Sequence, residues 1–308
     1  MSSTLASSTP DAGISHGVLD DARAARRLAW ASWLLRLALL GYAVGVLGQV
    51  WQQMGTLTGS YLFMHHGIPH ATVATWERGV SVVLAVVIVA AVVRPHVLLL
   101  LPVAAVVMTE AVCGYVFGGY HFSEWTVAAH VMRYVAPLVL AMLVVAPGLR
   151  WWSARRRSMA AAWGLRLGLA CLFATHGLEA YRLHPGFVDL IIGSADNVLG
   201  VRVSESQAGV MLRVIGVIDL MVAAAVLVLP MRYVLWWLAF WGLVTALSRT
   251  TALGLGHWHE VLLRSSHVLG PLALWQVMVA VRLYRRPAHE RASEAVVQGA
   301  GAAEGEAA

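Results

Sequence analysis

The sequence predicts an all-α, polytopic membrane protein of about eight helices, and three observations carry that reading. Of 308 residues, 59% are hydrophobic and only 12% are charged. The mean hydropathy is +0.71, which places the chain among membrane proteins rather than soluble domains. The apolar residues also fall in continuous runs of roughly 20, the length a helix needs to cross the hydrocarbon core. They lack the alternation of lipid-facing and lumen-facing strands in a barrel.

Taken in order, the runs predict spans over 28–51, 76–93, 97–117, 126–146, 160–182, 207–229, 233–253 and 261–283. Arginine supplies all 22 basic residues and gathers at alternate helix ends. Arg23, Arg26 and Arg27 precede the first span, and Arg94 separates the second from the third. Arg150, Arg155, Arg156 and Arg157 separate the fourth from the fifth, and Arg232 the sixth from the seventh. Arg282, Arg285, Arg286 and Arg291 follow the eighth. The opposite loops hold almost none, Arg182 and Arg202 excepted. The positive-inside rule then places both termini in the cytoplasm of an inner membrane. The same distribution argues against nucleic acid as the partner of the +6 net charge; the partner it implies is the lipid bilayer.

The polar, Ser-rich start and the long first run predict an uncleaved anchor. Cys113 and Cys171, the only cysteines, fall inside spans and predict no disulfide framework. No CxxCH, GxGxxG, P-loop or cysteine cluster is present, so nothing predicts a haem attachment, nucleotide, flavin or iron–sulfur site in the chain itself.

The chain also repeats itself. "WLLRLAL" at 33–39 returns as "WGLRLGL" at 163–169, and "HVMRYVAPL" at 130–138 as "RSSHVLGPL" at 264–272. "GGYHFSE", ending at Glu124, parallels "GLGHWHE", ending at Glu260. This predicts a polar tail over 1–27, a four-helix unit over 28–146, an Arg-rich cytoplasmic linker over 147–159, a second unit over 160–283 and a disordered tail over 284–308. Each unit has an even number of spans, so the two share one orientation, as parallel repeats do.

In the second unit, "LRLGLACLFATHGLEAY" followed by "HWHE" before the last helix resembles the DoxX/DoxD-like membrane proteins. The resemblance is fuller over 160–283 than over 30–146. It implies a small four-helix unit, quinone as cofactor, and quinone-linked redox chemistry beside a redox partner subunit. Val46, Leu47 and Gln49 stand where the second unit has His176, Gly177 and Glu179, so the two units are expected to carry unequal sites.

Ionisable groups inside spans cost about 2.5–3.5 kcal/mol each at the bilayer centre, so their placement is informative. Helical spacing puts Glu260, Arg264 and His267 on one face, and does the same for His130 with Arg133 and for His176 with Glu179. With Arg249 they fall in the outer halves of their spans and predict a polar chamber opening outwards. A ring-carbonyl site needs an imidazole or guanidinium donor for the oxygen and a carboxylate to move protons. Glu260, Arg264, His267, His176 and Glu179 are the candidates for that chemistry, with His130, Arg133 and Arg249 holding the cofactor. The same groups would equally serve as a structural network, since buried charges need partners whether or not they act.

His257 and His259 in "HWH" offer part of a copper or zinc shell, or simply an interfacial loop anchored by tryptophan. His130 and His267 would be the axial pair of a b-type haem, were one bound. "LFMHHGIPH" at 62–70 predicts a short interfacial helix, Gly41 and Gly45 a close helix contact, and Arg36 and Arg166 snorkelling or carbonyl-bonded side chains. A rival reading, a small-solute transporter or a non-catalytic subunit of a complex, rests on the intramembrane carboxylates Glu110 and Asp219.

Overall fold

The computed structural model describes residues 11–118, 121–144, 153–229 and 232–284. Residues 147–152 of the predicted linker, Arg150 among them, together with 1–10 of the first predicted tail and 285–308 of the second, Arg285, Arg286 and Arg291 included, lie outside the described residues. Among the described residues every regular element is helical and there is no strand.

The first half runs α1 (Asp11–Trp51), α2 (Leu57–His66), α3 (His70–Val93), α4 (Val97–Phe117), a 3-10 turn (Ser123–Trp125), α5 (Thr126–Ala129) and α6 (Val131–Val144). The second half runs α7 (Ala154–Tyr181), α8 (Pro185–Ser194) with a π turn (Ala195–Leu199), α9 (Glu205–Val228), α10 (Arg232–Leu253), a 3-10 turn (Leu255–His257), α11 (Trp258–Leu262) and α12 (Ser265–Leu283). Long helix, short helix, two full helices, 3-10 turn, short helix and final helix thus follow one another twice.

Seven stretches among the described residues are long and apolar enough to cross a membrane, which makes this a multi-pass membrane protein by length and composition. The predicted span 233–253 is the one left out of the seven. It does form a full-length helix, α10, but Arg232, Arg249 and three tryptophans make it less apolar than the rest. Helix α1 begins well before residue 28 because the Ala- and Arg-rich stretch ahead of it favours helix. The short helix expected over 62–70 is present but lies earlier, as α2 over Leu57–His66. Thr56 caps it, Oγ1 accepting from the Gly59 N–H at 3.0 Å, and Gly67 closes it at φ 63°.

The predicted spans 126–146 and 261–283 need a correction, for neither is one continuous helix. The first breaks at His130 and the second at Leu263–Arg264. At both breaks a side chain bonds the carbonyl four residues back. His130 Nδ1 donates to Thr126 O at 2.7 Å, and Arg264 donates to Glu260 O at 2.8 Å. Glu260, Arg264 and His267 therefore flank a break instead of lining one unbroken face. Pro137 and Pro271 follow within the next helices. Lacking an N–H, each leaves the carbonyl four residues earlier, on Arg133 and His267, without its helical donor.

Helices α1, α6, α7 and α12 form the centre. Helix α1 packs on α12 and α3, and α7 packs on α9 and α6. Helices α4 and α10 back α6 and α12 respectively. Leu35, Leu39, Leu165 and Leu169 are fully buried in this core.

Two glycine contacts set the closest approaches. Gly41 and Gly45, as expected, lie against the last helix pair: a Cβ at Gly41 would meet Ser265 at 2.9 Å, and one at Gly45 the Leu263 amide nitrogen at 2.8 Å. Gly177 and Gly216 join α7 to α9, where a Cβ at Gly216 would stand 2.6 Å from Gly177 O and 2.7 Å from Tyr181 N. Arg36 donates to Val92 O at 3.2 Å and stacks on Trp33, and Arg166 stacks likewise on Trp163. Large apolar side chains such as Val83, Val86, Val214, Met221 and Phe240 face outwards, where lipid rather than water suits them.

Candidate functional site

A cavity of about 520 Å³ opens inside the second half, among α7, α8, α9, α10 and the start of α12. Its wall is mostly apolar, with Leu172, Phe173, Leu190, Ile191, Ile215 and Val244 among the lining side chains. Besides the hydroxyls of Ser194, Thr245, Ser248 and Thr251, its polar groups are His176, Asp219, Trp241, Arg249, Arg264 and His267. An apolar pocket with a few converging polar groups is the usual form of a small-molecule site.

The chain builds this arrangement locally. Helix α7 carries His176 and Glu179 one turn apart, and Glu179 accepts from His176 Nδ1 at 2.8 Å. Glu179 is 6% exposed, so the histidine supplies the partner that a buried carboxylate needs. At the break before α12, Arg264 turns back onto Glu260, bonding both its backbone and its carboxylate. One turn further, His267 is 4% exposed, its Nε2 has no hydrogen-bond partner among the described residues, and its ring lies 5.9 Å from the His176 ring. Gly242 allows α10 to close against the His267 carbonyl, the one Pro271 leaves without a helical donor. Arg249 comes from the end of α10. Its guanidinium stands 5.6 Å over the Phe187 ring, and Nε is enclosed without a hydrogen-bond partner among the described residues.

The residues predicted for the chamber are brought within electrostatic range of one another. His176, Arg133 and Arg264 act on both His130 and His267, and Glu179, Glu260, Arg133 and Arg264 act on Arg249. They do not all share one space. His176, Arg249, Arg264 and His267 line the cavity, while Glu179 and Glu260 stand behind it as the partners of His176 and Arg264. His130 lines no described cavity and spends its Nδ1 on the break in its own helix. Arg133 faces a second cavity in the first half.

The "HWH" residues part company as well. His257 is exposed and bonds Leu253 O at 3.0 Å, whereas His259 is completely buried beneath α1, with neither ring nitrogen hydrogen-bonded among the described residues. Their ring centroids are 6.0 Å apart, and Trp258 packs over Gly48. Among the described residues no group of three or more His, Cys, Asp or Glu side chains gathers as a metal site. Glu110, read from sequence as an intramembrane carboxylate, accepts the Leu57 and Thr58 N–H groups and the Thr58 hydroxyl, which cap α2.

Two contributors were not singled out in the sequence. Phe187 on α8 touches His176, His184 and Arg249 at once. Trp241 lies on the cavity wall with its indole N–H directed to the Asp219 carboxylate. Neither carries a sequence signal, because a lone aromatic residue in an apolar run looks like core. Asp219, noted only as mid-span, is 4% exposed on the same wall.

Family models, curated proteins and solved structures offer no match to this chain. The site therefore rests on its own geometry.

One contact at its rim titrates. His184 precedes α8, and its Nδ1 accepts the Gly186 N–H at 3.0 Å, capping that helix. Burial holds its pKa below the usual 6.5, Glu179 opposes the shift and Arg249 adds to it. The unfolded chain then binds the proton more readily, so the contribution of this cap is present above about pH 6.5 and fades as pH falls below it. Amide exchange in α8 is expected to quicken between pH 7 and pH 5. His184→Asn keeps a capping acceptor and should flatten the pH dependence; an unchanged profile in that variant would assign the effect elsewhere.

Proposed function

We propose that this chain is an inner-membrane protein of the DoxX/DoxD-like type that binds a quinone in the 520 Å³ cavity and supports quinone-linked redox chemistry beside a redox partner subunit. In this reading it is built from eight spans in two parallel four-helix units, both termini cytoplasmic, with the cavity towards the outer face. The twofold order of elements and the paired breaks at His130 and Arg264 support the duplication.

One observation carries the ligand assignment. A largely apolar cavity ends in two nitrogens without hydrogen-bond partners among the described residues, Arg249 Nε and His267 Nε2. Unpaired donors in a low-dielectric site cost free energy until an acceptor arrives. Quinone carbonyl oxygens are such acceptors, and the apolar wall suits its ring and tail. A bound quinone would supply the two-electron chemistry. The chain's own part is to orient the carbonyls through Arg249, Arg264 and His267, and to hold a proton on the His176–Glu179 pair. The electrons come from the partner.

The test is binding of a short-chain ubiquinone to purified full-length protein in nanodiscs, followed by quenching of tryptophan emission. Arg249→Gln and His267→Ala should each weaken binding tenfold or more. Saturable binding that both variants retain, or no binding in the parent protein, ends this assignment. The transporter reading keeps one specific support, the buried carboxylate of Asp219 on the cavity wall. It requires solute uptake that Asp219→Asn abolishes.

A further inference from the structure

The first half contains a second cavity, of about 390 Å³, between α1, α3 and α4 and closed by Arg133 from α6. Its position matches that of the first, but its chemistry does not. Val46, Gln49 and Arg133 occupy the sequence places that His176, Glu179 and His267 hold in the second half. An unused remnant of a duplicated site would be expected to fill with apolar side chains, and this one has acquired unpaired polar groups instead.

Each polar group can be followed to its partner. Glu110 is occupied by three donors at the start of α2. Gln49 is turned away, donating to Gly55 O at 2.6 Å. Glu77 is 7% exposed and accepts the Thr56 N–H through Oε1 at 2.6 Å, while its other oxygen has no hydrogen bond among the described residues. Tyr42 is 6% exposed, and its hydroxyl has no hydrogen-bond partner among the described residues. Arg133 has neither an ion pair nor a side-chain hydrogen bond among the described residues, and its Nε is fully enclosed. One guanidinium, one hydroxyl and one carboxylate oxygen are therefore left facing a cavity whose apolar side chains include Val46, Trp76, Val80 and Leu84.

Charge narrows the ligand. Two carboxylates face one guanidinium, and the N-terminus of α2 adds about half a positive charge. A simple anion would enter against a net negative balance, and a simple cation would leave Arg133 unpaired. A ligand with both signs satisfies both groups. We infer that this cavity is a separate binding site for a small zwitterion of the amino-acid type, its carboxylate held by Arg133 and the Tyr42 hydroxyl and its ammonium by Glu77. A volume of this size falls within the range of small-molecule sites. The inference does not depend on the quinone reading, because it uses a different cavity and different residues.

The experiment titrates purified full-length protein in nanodiscs with three probes that share one aliphatic body: leucine, 3-methylbutylamine and 4-methylpentanoate. Thermal unfolding is the readout. Leucine is expected to raise the transition temperature, with the amine and the acid at least tenfold weaker. Arg133→Gln should remove the advantage of leucine over the amine. Tyr42→Phe keeps the packed ring and should weaken leucine several-fold, which guards against a folding defect in the arginine variant. Arg249→Gln and His267→Ala, in the other cavity, should leave the leucine titration unchanged. No response to leucine, equal responses to all three probes, or a leucine response that survives both Arg133→Gln and Tyr42→Phe would overturn the assignment.

Discussion

Gly216→Leu is expected to lower both the yield and the unfolding temperature of the protein sharply. Helices α7 and α9 meet backbone to backbone at Gly177 and Gly216, and a Cβ on Gly216 would lie 2.6 Å from Gly177 O and 2.7 Å from Tyr181 N. Those are backbone atoms, so no rotamer change relieves the collision and the two helices must separate. Separation would open the wall that carries His176 on one side and Asp219 on the other. Overpacking a close-packed contact typically costs 1–3 kcal/mol, and a purely backbone clash belongs at about 3 kcal/mol or more. Against a total stability of roughly 5–15 kcal/mol that is a large share. Monodisperse protein recovered from membranes is the measure, with Gly79→Ala on α3 as control. A Cβ at Gly79 meets nothing within 4 Å, so that change should be neutral or slightly stabilising. If Gly216→Leu is recovered at the parental yield and unfolds at the parental temperature, the close approach of α7 and α9 is wrong.

The second large effect is expected at Glu260. Its carboxylate is the ion-pair partner of Arg264, whose side chain is 16% exposed. Around that pair stand Arg133 and Arg249, neither of which has an acidic partner within ion-pair distance among the described residues. Glu260→Gln would leave three guanidiniums in mutual range, with Glu179 acting on Arg249 and Glu110 on Arg133 as the remaining carboxylates. Breaking a fully buried pair costs about 3–5 kcal/mol. With 29% of the Glu260 side chain exposed, water screens part of this, and about 2 kcal/mol is expected. Arg264→Gln added to Glu260→Gln should restore part of the loss, because the double variant no longer strands a charge. Equal stability of Glu260→Gln and the parent would mean that the pair is idle. A double variant weaker than the sum of the two singles would mean that Arg264 is held by something other than Glu260.

The quinone test and the leucine test separate cleanly because each depends on its own unpaired arginine, Arg249 in one cavity and Arg133 in the other. The sequence placed both among candidate cofactor-binding residues of a single chamber. The structure divides them between two spaces with α6 and α12 at the partition. That division was not legible because linear spacing reports which residues share a helix face. It does not report which of two neighbouring cavities the face lines.

The breaks at His130 and Arg264 teach a related lesson. Read as continuous helix, Glu260, Arg264 and His267 fall on one face; in the structure Arg264 turns back on the carbonyl and carboxylate of Glu260, and His267 begins the next turn within the cavity. A polar side chain competing for a backbone carbonyl can interrupt a helix that hydropathy would run straight through. The paired motifs "HVMRYVAPL" and "RSSHVLGPL" nevertheless marked both positions.

What the sequence determined by itself was the all-helical membrane character and the long helices, while α8 and the short helices α5 and α11 went unread. Apolar runs of spanning length have few ways to satisfy their backbone in lipid, and helix is the one a continuous run can adopt. It also located the Gly41–Gly45 contact, since small residues at that spacing let helices touch. Only the tertiary structure decided that Glu110 is spent on capping α2, that His259 is buried under α1, and that Phe187, Trp241 and Tyr42 belong to the candidate sites. A polar group's role depends on whether another group reaches it. The partners of Glu110 lie more than fifty positions away in the chain, and only folding brings them within hydrogen-bond distance.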